Sequence, residues 1–138
     1  MIPLLSAATR IACRQMTSQH LNALHASVEQ ASFLSARHDW EHKATAHAEL
    51  FTMVGDLTGD CDLARLVSSA TGRLQDLLMT VGPAADGIIL SSRHRLLREL
   101  KARDADGAAR EVERHLAGLH YMGRVACGSG SSTISRAS

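Results

Sequence analysis

Residues 43–60 read KATAHAELFTMVGDLTGD, and the parsing of this stretch decides the fold. Ala44, His47, Ala48, Phe51 and Val54 recur at intervals of three and four, the spacing of one helix face. Gly59-Asp60 closes the segment with a turn. One helix is therefore expected over Lys43–Asp60, with an inward stripe that includes His47. A titratable ring on an apolar stripe is either a hydrogen-bonded core residue or part of a site. Which of the two holds depends on the other polar residues that face it.

Toward the N-terminus, Pro3 to Met16 carries Leu4, Leu5, Ala8, Ile11 and Ala12 on one side. Thr17 or Ser18 then offers an N-cap. A second helix is expected from Ser18 to Ala36, its apolar face marked by Leu21, Leu24, Val28, Ala31 and Phe33/Leu34. His20 and His25 are five apart and share no face, so both are expected on the surface. In SARHDWEHK, Ser35 or Asp39 is positioned to cap the next helix. His38 and His42 stand four apart, a spacing that can chelate a metal, but two donors beside Asp39 and Glu41 look solvated. Trp40 is expected to pack the helix start onto a neighbour.

Toward the C-terminus, Asp62 opens a fourth helix with a wide stripe of Leu63, Leu66, Val67, Ala70, Leu74, Leu77 and Leu78. Gly72 in its middle costs roughly 1 kcal/mol against Ala, which suggests close helix packing there. Gly82-Pro83 ends it. The fifth helix, Ile88 to Arg103, places Ile89, Arg93, Leu96 and Leu100 on one side, and His94 beside Leu90 and Leu97. Asp104 or Asp106 caps a last helix that aligns Ala108, Val112, His115, Leu116, Leu119 and Met122. His120 points elsewhere. From about Gly128 the chain reads GSGSSTISRAS, which composition makes a disordered tail, taken to begin at residue 125. The expected domain is 1–124, followed by this tail.

The whole-chain numbers fit this parsing. With 138 residues there is room for one core. Aromatics make up only 3%, so Leu, Ala, Val and Met must fill that core, and this mix favours helices over a β-sandwich. A formal net charge of +1 supplies no global field to draw nucleic acid or an anionic membrane. Cys13, Cys61 and Cys127 are far apart and odd in number, as expected of reduced thiols in a cytoplasmic protein. No run approaches the roughly 20 apolar residues of a membrane span.

About six amphipathic helices joined by short links make an all-α antiparallel bundle. His47, Arg93 and His115 turn inward from three different helices, and bundles build pockets by converging polar side chains in this way. Singly, each residue reads better as a satisfied core group. Together they point to a site.

Three segments carry a family resemblance. HAELFTMVGDLTGDCDLARLV is similar to a helix with a D-x-x-x-H pattern, a Ser/Thr-Gly-Asn/Asp turn and a new helix. SRHRLLRELKARDADGAAREVERHL resembles a closing helix pair usually written H-x-x-(I/L)-L-x-A-(I/L)-x-x-x-D-x-x-x-A-x-x-x-(M/V)-x-x-H. ACRQMTSQHLNALHASVEQA is similar to the opening of the same domain. The chain thus resembles the FCD domain, the all-helical effector-binding half of FadR-type regulators in the GntR family, over about Ala7 to Met122.

The resemblance implies further properties. Many members hold a divalent metal with one Asp and three His, and the metal helps bind a small carboxylate effector. Anchored on Thr58-Gly59-Asp60, the Asp position falls on His47 and the first His position on Phe51. The second His position falls on Arg93, with His94 one residue away, and the last on His115. An alternative register, anchored on Val54-Gly55-Asp56, puts His47 in the first His position and Lys43 at the Asp. The first register is preferred because Cys61–Val67 then continues as the family does. A fixed guanidinium opposes a cation and suits an anion. The expectation is a metal-free pocket in which Arg93 forks onto a carboxylate, His47 and His115 donate hydrogen bonds, and Phe51 forms a wall. The alternative is a degenerate zinc site on His47, His94 and His115. A homodimer is implied, with DNA contacted only through a winged helix-turn-helix for which these residues leave no room. Competing readings are a structural helical interaction module and a small metal-dependent enzyme. The enzyme reading lacks an inward Glu or Asp as general base and a nucleophile beside a His.

Overall fold

The structure is a computed structural model that describes residues 1–34 and 39–137, with side chains described through residue 128. Ser35, Ala36 and His38, named above as a cap, a helix end and half of an HxxxH pair, lie outside the described residues.

Six helices follow one another, with no strand among the described residues. They are α1 (Ile2–Gln15), α2 (Ser18–Phe33), α3 (Trp40–Asp56), α4 (Cys61–Val81), α5 (Asp86–Lys101) and α6 (Ala105–Ala137), with a short 3-10 turn at Pro83–Ala85 before α5. α3 packs chiefly on α4 and α1 chiefly on α6, while α5 lies against α6 and α2. This is the all-α bundle that the periodicity predicts.

Local chemistry sets the boundaries. Thr17 and His20 form a reciprocal box at the start of α2. The His20 N–H donates to Thr17 Oγ1 at 3.3 Å, and the Thr17 N–H donates to His20 Nδ1 at 3.0 Å. Here an imidazole takes the part usually played by Glu or Gln. Asp39 caps α3, Asp60 caps α4 through the N–H groups of Asp62 and Leu63, and Asp104 caps α6 through the Gly107 N–H at 2.8 Å. Gly59 and Gly82 hold φ of +75° and +87°, left-handed values that stop α3's turn and α4. α3 therefore ends at Asp56 rather than running on to Asp60. α6 spans the Gly/Ser-rich stretch as far as Ala137, and its last buried residue among those described is Gly123.

The core is built mainly of aliphatic side chains, with Leu5, Leu24, Phe51, Leu74, Leu96 and Leu116 fully or nearly fully enclosed. Trp40 packs the start of α3 onto α4, its Nε1–H donating to the Leu78 carbonyl at 2.9 Å. Two expectations fail. Leu66, counted on the α4 stripe, is 58% exposed, and Phe33 is 85% exposed, because no helix among the described residues covers either edge. Gly72 does not mark close packing, since a Cβ there would meet nothing within 4 Å. The tight crossing lies at Gly55, where a Cβ would come within 2.9 Å of Val67 on α4.

Candidate functional site

α3 and α5 bring three of the four expected residues into contact. The Arg93 guanidinium lies over the Phe51 ring, 4.7 Å from its centroid, a cation–π arrangement. Its Nη2 donates to the His47 carbonyl oxygen at 3.2 Å. His115, from α6, completes the set. Arg93 lies near enough to be the second cause, after burial, of the low pKa of that imidazole.

The electrostatics are those of a buried positive centre. Arg93 is 2% exposed, its Nε has no hydrogen-bond partner, and no carboxylate among the described residues forms an ion pair with it. Burial pushes its pKa down to about 10, which leaves it charged at neutral pH. Burial likewise pushes His47 down to about 4, against the pull of its hydrogen bond to Asp86, and His115 down to about 2. Both rings are therefore neutral at pH 7. His115 Nε2 is buried without a partner.

Two further residues stand beside this set: Asp86, which escaped the sequence reading, and Lys43, which entered it only through the alternative register. Asp86, at the first turn of α5, accepts from both sides of α3. Its Oδ1 lies 3.0 Å from His47 Nε2 and its Oδ2 lies 2.8 Å from Lys43 Nζ. Lys43, buried like His47, also donates to the Leu34 carbonyl at the end of α2. The signal was present in the spacing. Lys43 precedes His47 by four residues and Asp86 precedes Arg93 by seven, so each shares a face with its partner. Glu111, one turn before His115 on α6, likewise gathers Ser92, Arg95 and Arg114.

The interior is tightly filled. The space beside His47 and Arg93, toward Val28, Ala31 and Leu50, is about 10 Å³. A cavity of about 110 Å³ reaches His115 from the α5–α6 side. A larger one, about 580 Å³, lies between α2 and the end of α5 and touches none of the four residues.

These donors do not fit a divalent cation. Phe51 has none, Arg93 brings a fixed positive charge, and His47 Nε2 is already engaged by Asp86. His94, the third member of the alternative trio, is exposed, whereas His47 and His115 are buried. No three His, Cys, Asp or Glu among the described residues are grouped to hold a metal ion.

The family model described as FCD domain matches residues 2–118. No curated protein matches the chain. No helix among the described residues is long and apolar enough to cross a membrane. The chain belongs to the FCD-domain family, whose members are the effector-binding, regulatory domains of GntR-type regulators rather than enzymes.

Proposed function

We propose that this FCD domain is the ligand-sensing and dimerisation part of a cytoplasmic GntR/FadR-type transcription regulator, and that its effector is a small organic acid bound at Arg93 without a metal. One observation carries the reading: Arg93 is a charged guanidinium held in the core with no ion-pair partner among the described residues. Taking a lone charge out of water costs several kcal/mol, which an arriving carboxylate recovers through paired N–H donation. Phe51 backs the guanidinium, and His115 beside it is a neutral ring with an unpartnered Nε2 and one hydrogen bond to donate, while His47 spends its single N–H on Asp86 and serves the site by holding Asp86 in place. Because the interior beside Arg93 is nearly closed, the acid selects a more open packing of the helices. That difference between packings is what a regulator transmits to its dimer and, by linkage, to a winged helix-turn-helix that contacts DNA. These residues do not bind DNA themselves.

The test is a thermal-shift panel of small mono-, di- and hydroxycarboxylates on the wild type and on Arg93→Met. At least one acid raises the wild-type melting temperature and leaves Arg93→Met unmoved. A broad panel without a hit, or a hit that persists in Arg93→Met, refutes the assignment.

A second reading, a structural helical interaction module without a ligand, is favoured by the small space beside Arg93. It predicts that Arg93→Met stabilises the domain and that no acid acts.

A further inference from the structure

A ligand for Arg93 needs a way in, and the two flanks of the site differ. On the α2 flank the space is about 10 Å³ and its walls include Val28, Ala31 and Leu50, three apolar side chains. An anion crossing there would shed its water against hydrocarbon. On the α5–α6 flank the cavity of about 110 Å³ is large enough for a few waters. Its lining follows from the helical period: Glu111, His115, Gly118 and Met122 recur along one face of α6, opposite Ile88 and Arg95 on α5.

Depth along this groove runs from solvent to His115. Ile88 is 56% exposed, Gly118 is exposed, and His115 is 7% exposed. A Cβ on Gly118 would meet nothing within 4 Å, so the rim is open at that point. At the inner end stands the imidazole of His115, whose Nε2 is buried without a partner, as is Nε of Arg93, whose charge helps hold that ring neutral.

The rim is also charged in the sense an anion requires. Arg95 Nε donates to Glu111 Oε1 at 3.0 Å and Arg114 Nη2 donates to Glu111 Oε2 at 2.6 Å, two cations sharing one carboxylate. The adjoining surface cavity, about 370 Å³, adds Arg98 and Arg110 to the same pair, with Glu99 and Asp104 beside them, so that four guanidinium groups face three carboxylates. An incoming carboxylate can take the place of Glu111 on either arginine without any charge being left unpaired.

Resting on the reading of Arg93 above, we propose that the α5–α6 groove over His115 is the route by which a small carboxylate reaches Arg93, with Arg95 and Arg114 as its first contacts and Glu111 as the counter-ion it displaces.

The probe is diethyl pyrocarbonate. The unprotonated nitrogen of a neutral imidazole attacks a carbonyl of the reagent and keeps the carbethoxy group, the ring's other nitrogen gives up its proton, and the departing ethyl carbonate takes that proton and breaks down to ethanol and carbon dioxide. Labelling is mapped by tandem mass spectrometry on the intact chain. His115 is labelled about tenfold faster than His47. Gly118→Leu, which roofs the rim, slows His115 about tenfold, the factor that ~1.4 kcal/mol of added barrier produces, and leaves His25 and His94 unchanged. In stopped-flow binding of an acid found by thermal shift, Arg114→Gln lowers the association rate and flattens its salt dependence. His115 labelled no faster than His47, or indifferent to Gly118→Leu while acids still bind through Arg93, overturns the route alone. Failure of every acid to bind overturns the route together with the Arg93 reading.

Discussion

Asp86 Oδ1 lies 3.0 Å from His47 Nε2, and the same carboxylate binds the ammonium of Lys43. The pair joins the first turn of α5 to the middle of α3. It positions the helix that carries Arg93 against the helix that carries Phe51.

Asp86→Asn keeps an acceptor for His47 but removes the carboxylate from Lys43, whose side chain is 3% exposed. A buried ammonium without its counter-ion should cost about 3 kcal/mol of stability in urea unfolding. Adding Lys43→Met should restore most of that, since the uncompensated charge is then gone. A loss below ~1 kcal/mol, or no recovery in the double variant, would mean that the ion pair does not hold the helices together.

Stability should fall on the acid side of pH 6.5. The unfolded chain protonates His47 and His115 near 6.5, whereas the folded chain resists until about 4 and about 2. Their contribution is therefore fully present above 6.5 and is lost as pH falls, at ~1.4 kcal/mol per pH unit for each proton. His47 completes its loss by about 4, and His115 continues below that. Chemical denaturation between pH 7.5 and 4.5 should show His115→Gln with a slope shallower by one proton. Parallel slopes for the variant and the wild type would contradict the buried, neutral state of His115.

Two glycines should respond with opposite sign to the same change. Gly72→Ala, exposed with open space around it, should stabilise by about 1 kcal/mol through helix propensity. Gly55→Ala drives a Cβ within 2.9 Å of Val67 and should destabilise by roughly 1–3 kcal/mol despite the same propensity gain. Thermal melts of both variants decide it. Equal shifts would show that the α3–α4 crossing is looser than its geometry implies.

Added Zn²⁺ or Ni²⁺ should leave the melting temperature unchanged, because Arg93 and Phe51 stand where cation ligands would be needed. A rise of several degrees that His115→Ala abolishes would establish a metal site and end the metal-free proposal.

Much of this was legible in the chain because it is local. The 3.6-residue period assigns Arg93 to the stripe of Ile89 and Leu96, and it turns His47 and His115 inward. Asp39 and Asp104, each one of two candidates, mark helix starts because a cap acts only on the N–H groups two or three residues ahead, whereas Asp60, read as a turn residue, proved to be the cap of α4. Leu66 and Phe33 were misplaced because a stripe says which residues can be covered, and only a neighbouring helix decides which are.

By itself, then, the sequence determined the six helices, their inward faces and the polar residues those faces carry, all set by interactions within a few residues. The tertiary structure decided the partners. It brought Asp86 to His47 across 39 positions and left Arg93 without an ion-paired carboxylate among the described residues. It also closed the interior beside Arg93 to about 10 Å³ and left the α5–α6 side open. Charge pairing and void volume depend on how separate helices are set against one another, and helical period carries no record of either.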